Sequence, residues 1–186
     1  ILKFLLGLWL ALLLNEIRSR AFKRTVQSIT YLPHFLSVVI VAGMVLQLLS
    51  LQGTVNQIIE AVGGEAIPFI QRAEWFRAIY VGSEIWQTVG WGTILYLAAL
   101  TTIDAQLYEA ARIDGANRWR QTWHVTLPGI RPTMITLLIL NIGQMMNISF
   151  DKPYIIGNSM VRDFSDVLST FVYRAGITNA QFARAT

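Results

Sequence analysis

Charged positions in this chain are bunched, and the intervals between them read as helices. No Asp, Glu, Lys or Arg occurs at 25–59, 85–103 or 132–150, and a further apolar run covers 4–14. A helix crossing the hydrocarbon core needs ~20 mostly apolar residues, and each uncharged interval is about that long or longer. Lipid offers no hydrogen-bond partners, so a spanning backbone must be helical or part of a closed barrel. The ~10-residue alternating segments of a barrel are missing. A buried helix of a water-soluble fold interleaves polar positions over ~8–20 residues, which these intervals do not. The pattern predicts an all-α, polytopic transmembrane bundle, a single domain over 1–186, with spans at about 1–14, 32–51, 80–102 and 132–150.

Composition agrees, and charge orients the spans. The chain is 54% hydrophobic and 14% charged, against about 25% charged in a typical soluble domain. Short loops rich in Lys and Arg stay cytoplasmic. Residues 15–24 carry Arg18, Arg20, Lys23 and Arg24 against Glu16, and 104–131 carry Arg112, Arg118, Arg120 and Arg131, so both are expected inside. Segment 52–79 carries Arg72 and Arg77 against Glu60, Glu65 and Glu74, and 151–176 is balanced, so both are expected outside. The net charge of +4 sits in the two inner loops, which makes it a topology signal and not a mark of nucleic-acid binding.

The inner loop 104–131 holds the most specific pattern. Glu109-Ala110-Ala111 is followed after three residues by Gly115, and after nine more by Val125-Thr126-Leu127-Pro128. This resembles the EAA loop of bacterial ABC importer permeases, with Val125 in place of the usual Ile. Tyr31-Leu32-Pro33-His34-Phe35-Leu36-Ser37, and Tyr96-Leu97-Ala98-Ala99-Leu100 with Ile103-Asp104, resemble the carbohydrate-uptake branch, and Phe150-Asp151 with the run 166–174 resembles permeases for larger oligosaccharides, including uronate-containing ones such as alginate or aldouronate.

The resemblance implies a type I ABC importer permease in the bacterial cytoplasmic (inner) membrane. It implies a second homologous permease, two ATP-binding-cassette ATPase subunits, an extracytoplasmic solute-binding protein and an oligosaccharide substrate. ATP and Mg would be bound by the ATPase subunits, leaving this chain without a cofactor or an enzymatic activity of its own. It implies that Glu109, Ala110, Ala111, Asp114, Gly115, Leu127 and Pro128 couple to the ATPase through a cytoplasmic coupling helix. Such permeases have a core of about six helices; the first and last are expected to be missing here.

The residues themselves rationalise such a loop. Asp104 can cap a helix over 105–113, and Ala110 and Ala111 let another surface approach. Gly115 falls where a helix ends in a left-handed residue. A second helix is expected over 117–124, ended by Leu127-Pro128 before the next span. Trp119 and Trp123 also suit a membrane interface.

Candidate path residues are Asn141, Gln144, Asn147 and, in the preceding span, Gln87. Asn141, Gln144, Asn147 and Asp151 fall within ~120° on one face of a helix over 132–150. Polar groups at membrane depth face a bundle interior or wet cavity, where amides could serve sugar hydroxyls; hydrogen bonding between helices is the alternative. Trp86, Trp91 and Tyr96 offer faces that could stack on sugar rings, though Trp86 and Trp91, near the outer end, better suit an interfacial belt; Glu84 suits a hydrated edge, and Gly90 and Gly92 close helix packing.

Catalysis finds no support. The two histidines, His34 and His124, form no metal motif, Gly63-Gly64 opens no phosphate loop, and no cysteine offers thiolate chemistry. A secondary transporter or channel would leave the 109–128 pattern unexplained, and its coupling usually needs ionisable groups deep in the spans. An ABC permease for a non-sugar solute remains the other reading.

Overall fold

The computed structural model describes residues 2–144 and 150–181. The fold is all-α. In chain order the helices are α1 (Leu2–Glu16), α2 (Arg20–Tyr31), α3 (Val38–Leu49), α4 (Thr54–Ala61), α5 (Ala73–Thr101), α6 (Ala105–Ile113), α7 (Arg118–Gln121), α8 (Leu127–Gln144), α9 (Asp151–Ile156), α10 (Arg162–Ser165) and α11 (Leu168–Tyr173). The stretches Val38–Ala61 and Arg118–Gln144 are long and apolar enough to cross a membrane.

The chain divides into two compact units, one within Ile1–His34 and Thr88–Met146, the other within Phe35–Gln87 and Asn147–Thr186. The first has a core of Phe4, Leu8 and Ala11 of α1, Tyr96 and Leu100 of α5, and Ile130 of α8. Phe4 meets Tyr96 edge to face at 5.9 Å. Small residues let these helices close up. A Cβ at Gly90 would overlap the Thr30 carbonyl of α2, and one at Gly129 would lie 3.0 Å from the Ile103 side chain. Gly90 therefore packs as expected. Gly92 does not: its missing Cβ would meet nothing within 4 Å.

In the second unit α3 packs on α9, and Ala42, Phe76, Ile156 and Val161 form the core. Asn56 of α4 is wholly buried and ties the loop after it: Nδ2 donates to the Ser50 and Ile67 carbonyls, each at 2.9 Å, and Oδ1 accepts from Ile67 N–H at 2.8 Å.

Three expected helices differ in their bounds. The stretch 32–51 is a 3-10 turn (Leu32–Phe35) and then α3, separated at Leu36-Ser37, with Ser37 Oγ capping Val39 N–H at 3.3 Å. Helix α5 starts seven residues before 80, because 73–80 can continue a helix while carrying Glu74 and Arg77; charge patterning marks the membrane edge and not the helix end. Leu127-Pro128 does not stop the helix of the inner loop. A π turn over Thr122–Thr126 joins α7 to α8, with Leu127 N–H bonded to Thr122 O. At the return from π to α pairing one carbonyl loses its donor anyway, so Pro128 costs little there.

Candidate functional site

In the loop 104–131, sequence and geometry agree from Asp104 to Asn117. Asp104 Oδ1 caps Gln106 N–H at 2.9 Å. At the other end Gly115 has φ +73°, Ala116 N–H reaches Ala111 O at 2.8 Å, and Gly115 N–H reaches Arg112 O at 3.1 Å. These paired bonds are the Schellman closure of a helix, which needs a left-handed residue two positions after the last helical one. The Ala-x-x-x-Gly spacing is thus the chemistry of that closure: Ala111 supplies the outer carbonyl, Asp114 the cap and Gly115 the left-handed turn. Asn117 Oδ1 then caps Arg120 N–H at 2.9 Å and the chain turns back into helix.

Helix α6 buries none of its residues. Leu107 is 53% and Ile113 86% exposed, with Glu109 and Ala110 also on the surface. A nine-residue helix without a packed face is marginal in water by itself. It is held instead at its base. Tyr108 Oη and Thr126 Oγ1 are 2.9 Å apart, linking α6 to the π turn, and Gln121 Nε2 donates to Ala116 O at 2.8 Å. Arg118 pairs with Glu16 at the end of α1. From Arg118 the helical stretch is continuous to Gln144, so at 1.5 Å per residue the loop is joined to Asn141 by about 35 Å of helix.

Asn141 and Gln144 both line a cavity of about 390 Å³ in the first unit, with Lys3, His34, Trp91 and Tyr96. His34 stacks on Trp91 at 4.5 Å with the rings 8° from parallel. Asn141 Nδ2 donates to Leu137 O at 2.8 Å, which leaves its carbonyl oxygen for another partner. Tyr96 is only 2% exposed, and its hydroxyl has no hydrogen bond among the described residues. A buried hydroxyl without a partner is costly, and Tyr96 also lines the cavity. Asn147 lies outside the described residues. The described part of the helix carrying Asn141 ends at Gln144, and Asp151 is the first residue of α9.

Gln87 does not line this cavity. It is buried in the second unit, where Nε2 donates to Leu36 O at 3.0 Å and Oε1 accepts from Lys152 Nζ at 3.1 Å. The interruption at Leu36-Ser37 frees a carbonyl that lipid could not satisfy, and Gln87 supplies the donor. Lys152 is 2% exposed and pairs with Glu84 at 2.9 Å. Glu84 is therefore a structural partner and not merely a hydrated edge residue. Sequence reasoning missed Lys152, since a Lys beside Asp151 and Pro153 reads as a solvated end; the lone carboxylate at 84 was the available signal.

Sequence reasoning did not single out Lys3, and it assigned Trp91 to the belt over sugar stacking. Trp at a span's edge fits an aromatic belt equally well, and only the approach of His34 distinguishes the two.

Comparison with known proteins is consistent along the chain. Residues 3–177 match the family described as binding-protein-dependent transport system inner membrane component. The polygalacturonan/rhamnogalacturonan transport system permease protein YteP of Bacillus subtilis (strain 168) is 47% identical over 178 residues, 95% of this chain and 56% of that protein. The chain thus spans little more than half the length of that relative. The crystal structure of a bacterial ABC transporter involved in the import of the acidic polysaccharide alginate superposes with a TM-score of 0.93 at 40% identity, covering 98% of this chain and 64% of that one. The alginate transporter in complex with an alginate pentasaccharide-bound periplasmic protein matches with the same values. This chain belongs to the family of binding-protein-dependent transport system inner membrane components.

Proposed function

We propose that this chain is the membrane-spanning permease subunit of an ATP-driven, binding-protein-dependent importer of oligosaccharides. It forms half of a translocation path with a second homologous permease. Two ATPase subunits bind ATP and Mg, and an extracytoplasmic solute-binding protein delivers the cargo. The subunit crosses the bacterial cytoplasmic membrane several times, with 104–131 inside and 52–79 and 151–176 outside. The observation that carries this reading is α6: a capped, Schellman-closed helix that buries none of its residues and exposes Leu107, Ile113, Ala110 and Glu109.

Glu109 is the charge that pairs with a donor on the ATPase, Ala110 and Ala111 the close-contact face, and Asp114 and Gly115 the turn that shapes it. Leu127 and Pro128 carry the helix out of the π turn and into α8. Movement of the docked loop is passed along the helix from Arg118 to Asn141 and Gln144, which with Asn147 contribute to the path. The named cargoes of the relatives, polygalacturonan, rhamnogalacturonan and alginate, support an oligosaccharide substrate. The His34–Trp91 stack beside Tyr96 and two amides suits one chemically, because sugars present apolar ring faces and many hydroxyls. Gln87 acts by holding the Leu36 carbonyl and Lys152 in place.

The test is accumulation of a labelled oligosaccharide by proteoliposomes containing the assembled complex. Uptake requires both loaded binding protein and internal ATP if the proposal is right. Uptake driven by a proton or sodium gradient alone would contradict it.

A further inference from the structure

The segment after Asp151 contains a second, polar cavity of about 260 Å³, walled by Tyr154 of α9, Arg162 and Ser165 of α10, Tyr173 of α11, and Arg174. Its charges do not cancel. Arg174 grips Asp166 through both terminal nitrogens, one at 3.2 Å, and Thr170 Oγ1 lies 2.8 Å from the same carboxylate. The hydrogen bond from Arg174 holds the Asp166 carboxyl below its ordinary range, so these two groups persist as a fixed ion pair. Arg162 is exposed and makes no ion pair among the described residues. The cavity lining thus holds two guanidinium groups, Arg162 and Arg174, against the one carboxylate of Asp166.

The rest of the lining is aromatic and hydroxylic. Tyr154 and Tyr173 meet edge to face at 5.4 Å, with Phe150 stacked 4.8 Å from Tyr154. Gly157 closes α9 against α10, where a Cβ would lie 2.9 Å from Ser165 Oγ, so a side chain there would force the walls apart. Helix α9 is itself anchored by the buried Lys152. Sites for drug-sized ligands span ~300–1,000 Å³, so this cavity has room for about one sugar ring and not for a chain.

We propose that this cavity takes the carboxylate-bearing ring of an acidic oligosaccharide, Arg162 pairing with the carboxylate while Tyr154 and Tyr173 offer ring faces and hydroxyls. A guanidinium matches a carboxylate bidentately, and a neutral sugar would leave Arg162 without that gain. The inference rests on the external placement of 151–176 and on oligosaccharide transport as proposed above. It adds a place where the charge of the cargo is read.

The experiment uses the full transporter in phosphatidylcholine proteoliposomes, with Ser159→Cys in this otherwise cysteine-free chain and an impermeant maleimide added outside. Ser159 is exposed at the cavity's rim. Trigalacturonate slows labelling severalfold and its methyl ester does not; Arg162→Gln removes the protection, and Arg162→Lys retains part of it. In uptake, Arg162→Gln raises the half-saturating trigalacturonate concentration roughly tenfold, the scale of one charge-assisted hydrogen bond, and leaves that of the ester unchanged. Equal protection by the ester, or protection surviving Arg162→Gln, would overturn the site. So would slowed labelling in phosphatidylglycerol vesicles without sugar, which would assign the cavity to a lipid headgroup. Normal trigalacturonate uptake without protection would overturn the site and leave the proposed function standing. Absence of uptake of any oligosaccharide, acidic or neutral, would remove the proposed function and this inference with it.

Discussion

Lys152 and Glu84 form an ion pair with unequal burial, and that inequality predicts unequal mutants. Lys152 is 2% exposed and Glu84 36%, with Nζ 2.9 Å from Glu84 and 3.1 Å from Gln87. Removing one partner of a fully buried pair costs about 3–5 kcal/mol, chiefly because the other charge is left buried and uncompensated. Glu84→Gln leaves Lys152 in that position, with amide oxygens only, and should cost about 3 kcal/mol. Lys152→Met leaves Glu84, which already reaches water. Its cost is the lost pairing and an orphaned Gln87 acceptor, partly offset by apolar packing, so about 1–2 kcal/mol is expected. The double variant should resemble Lys152→Met, giving a coupling energy of about 3 kcal/mol, the whole cost of Glu84→Gln. Thermal denaturation of the purified complex in detergent, followed by tryptophan fluorescence at one scan rate, ranks the three. Equal loss in both single variants, or additive loss in the double one, would refute the argument from burial.

Tyr96→Phe and Gln144→Leu should each reduce oligosaccharide uptake severalfold at normal abundance of assembled complex, measured by initial rates; normal rates at normal abundance would take both side chains out of the path. Gly90→Leu should lower the amount of folded complex by forcing α2 from α5, on the overpacking scale of about 1–3 kcal/mol, while Gly92→Ala, facing open space, should leave folding intact; both are read by size-exclusion yield. Arg174 lowers the Asp166 pKa, so the stabilisation is fully present above the unfolded value of about 4 and fades as pH falls below it. The apparent melting temperature of Asp166→Asn should therefore lie below wild type at pH 7 and converge with it toward pH 3.

The turn region of the loop 104–131 was legible in detail because its signals are local. A cap, a left-handed glycine and their spacing depend on the backbone within a few residues, and the helix 105–113 and the turn at Gly115 follow from them. The all-α character was legible from hydropathy. The continuity of the helix through Leu127-Pro128 was not, since Pro usually ends helices and only the change to π pairing over Thr122–Thr126 removes the need for its N–H. The partners of Gln87 and Lys152 were not legible, for another reason. Whether a polar side chain serves a cavity or a freed carbonyl depends on a contact fifty-one residues away in sequence, between Gln87 and Leu36. Amphipathic placement narrows the face of a helix; it does not name what lies across from it.

The coupling claim is tested most directly by ATP hydrolysis in the reconstituted complex, with and without loaded binding protein. Gly115 has φ +73° and closes α6, so Gly115→Val places a β-branched residue in a backbone region it strongly disfavours. Glu109→Lys reverses the charge on the exposed face of the same helix. The account predicts that both variants assemble their own fold, bind loaded binding protein normally, and lose most of the stimulated ATPase activity together with uptake. Wild-type stimulation of ATP hydrolysis in both variants would contradict it, because the helix could not then be the element through which the ATPase drives transport.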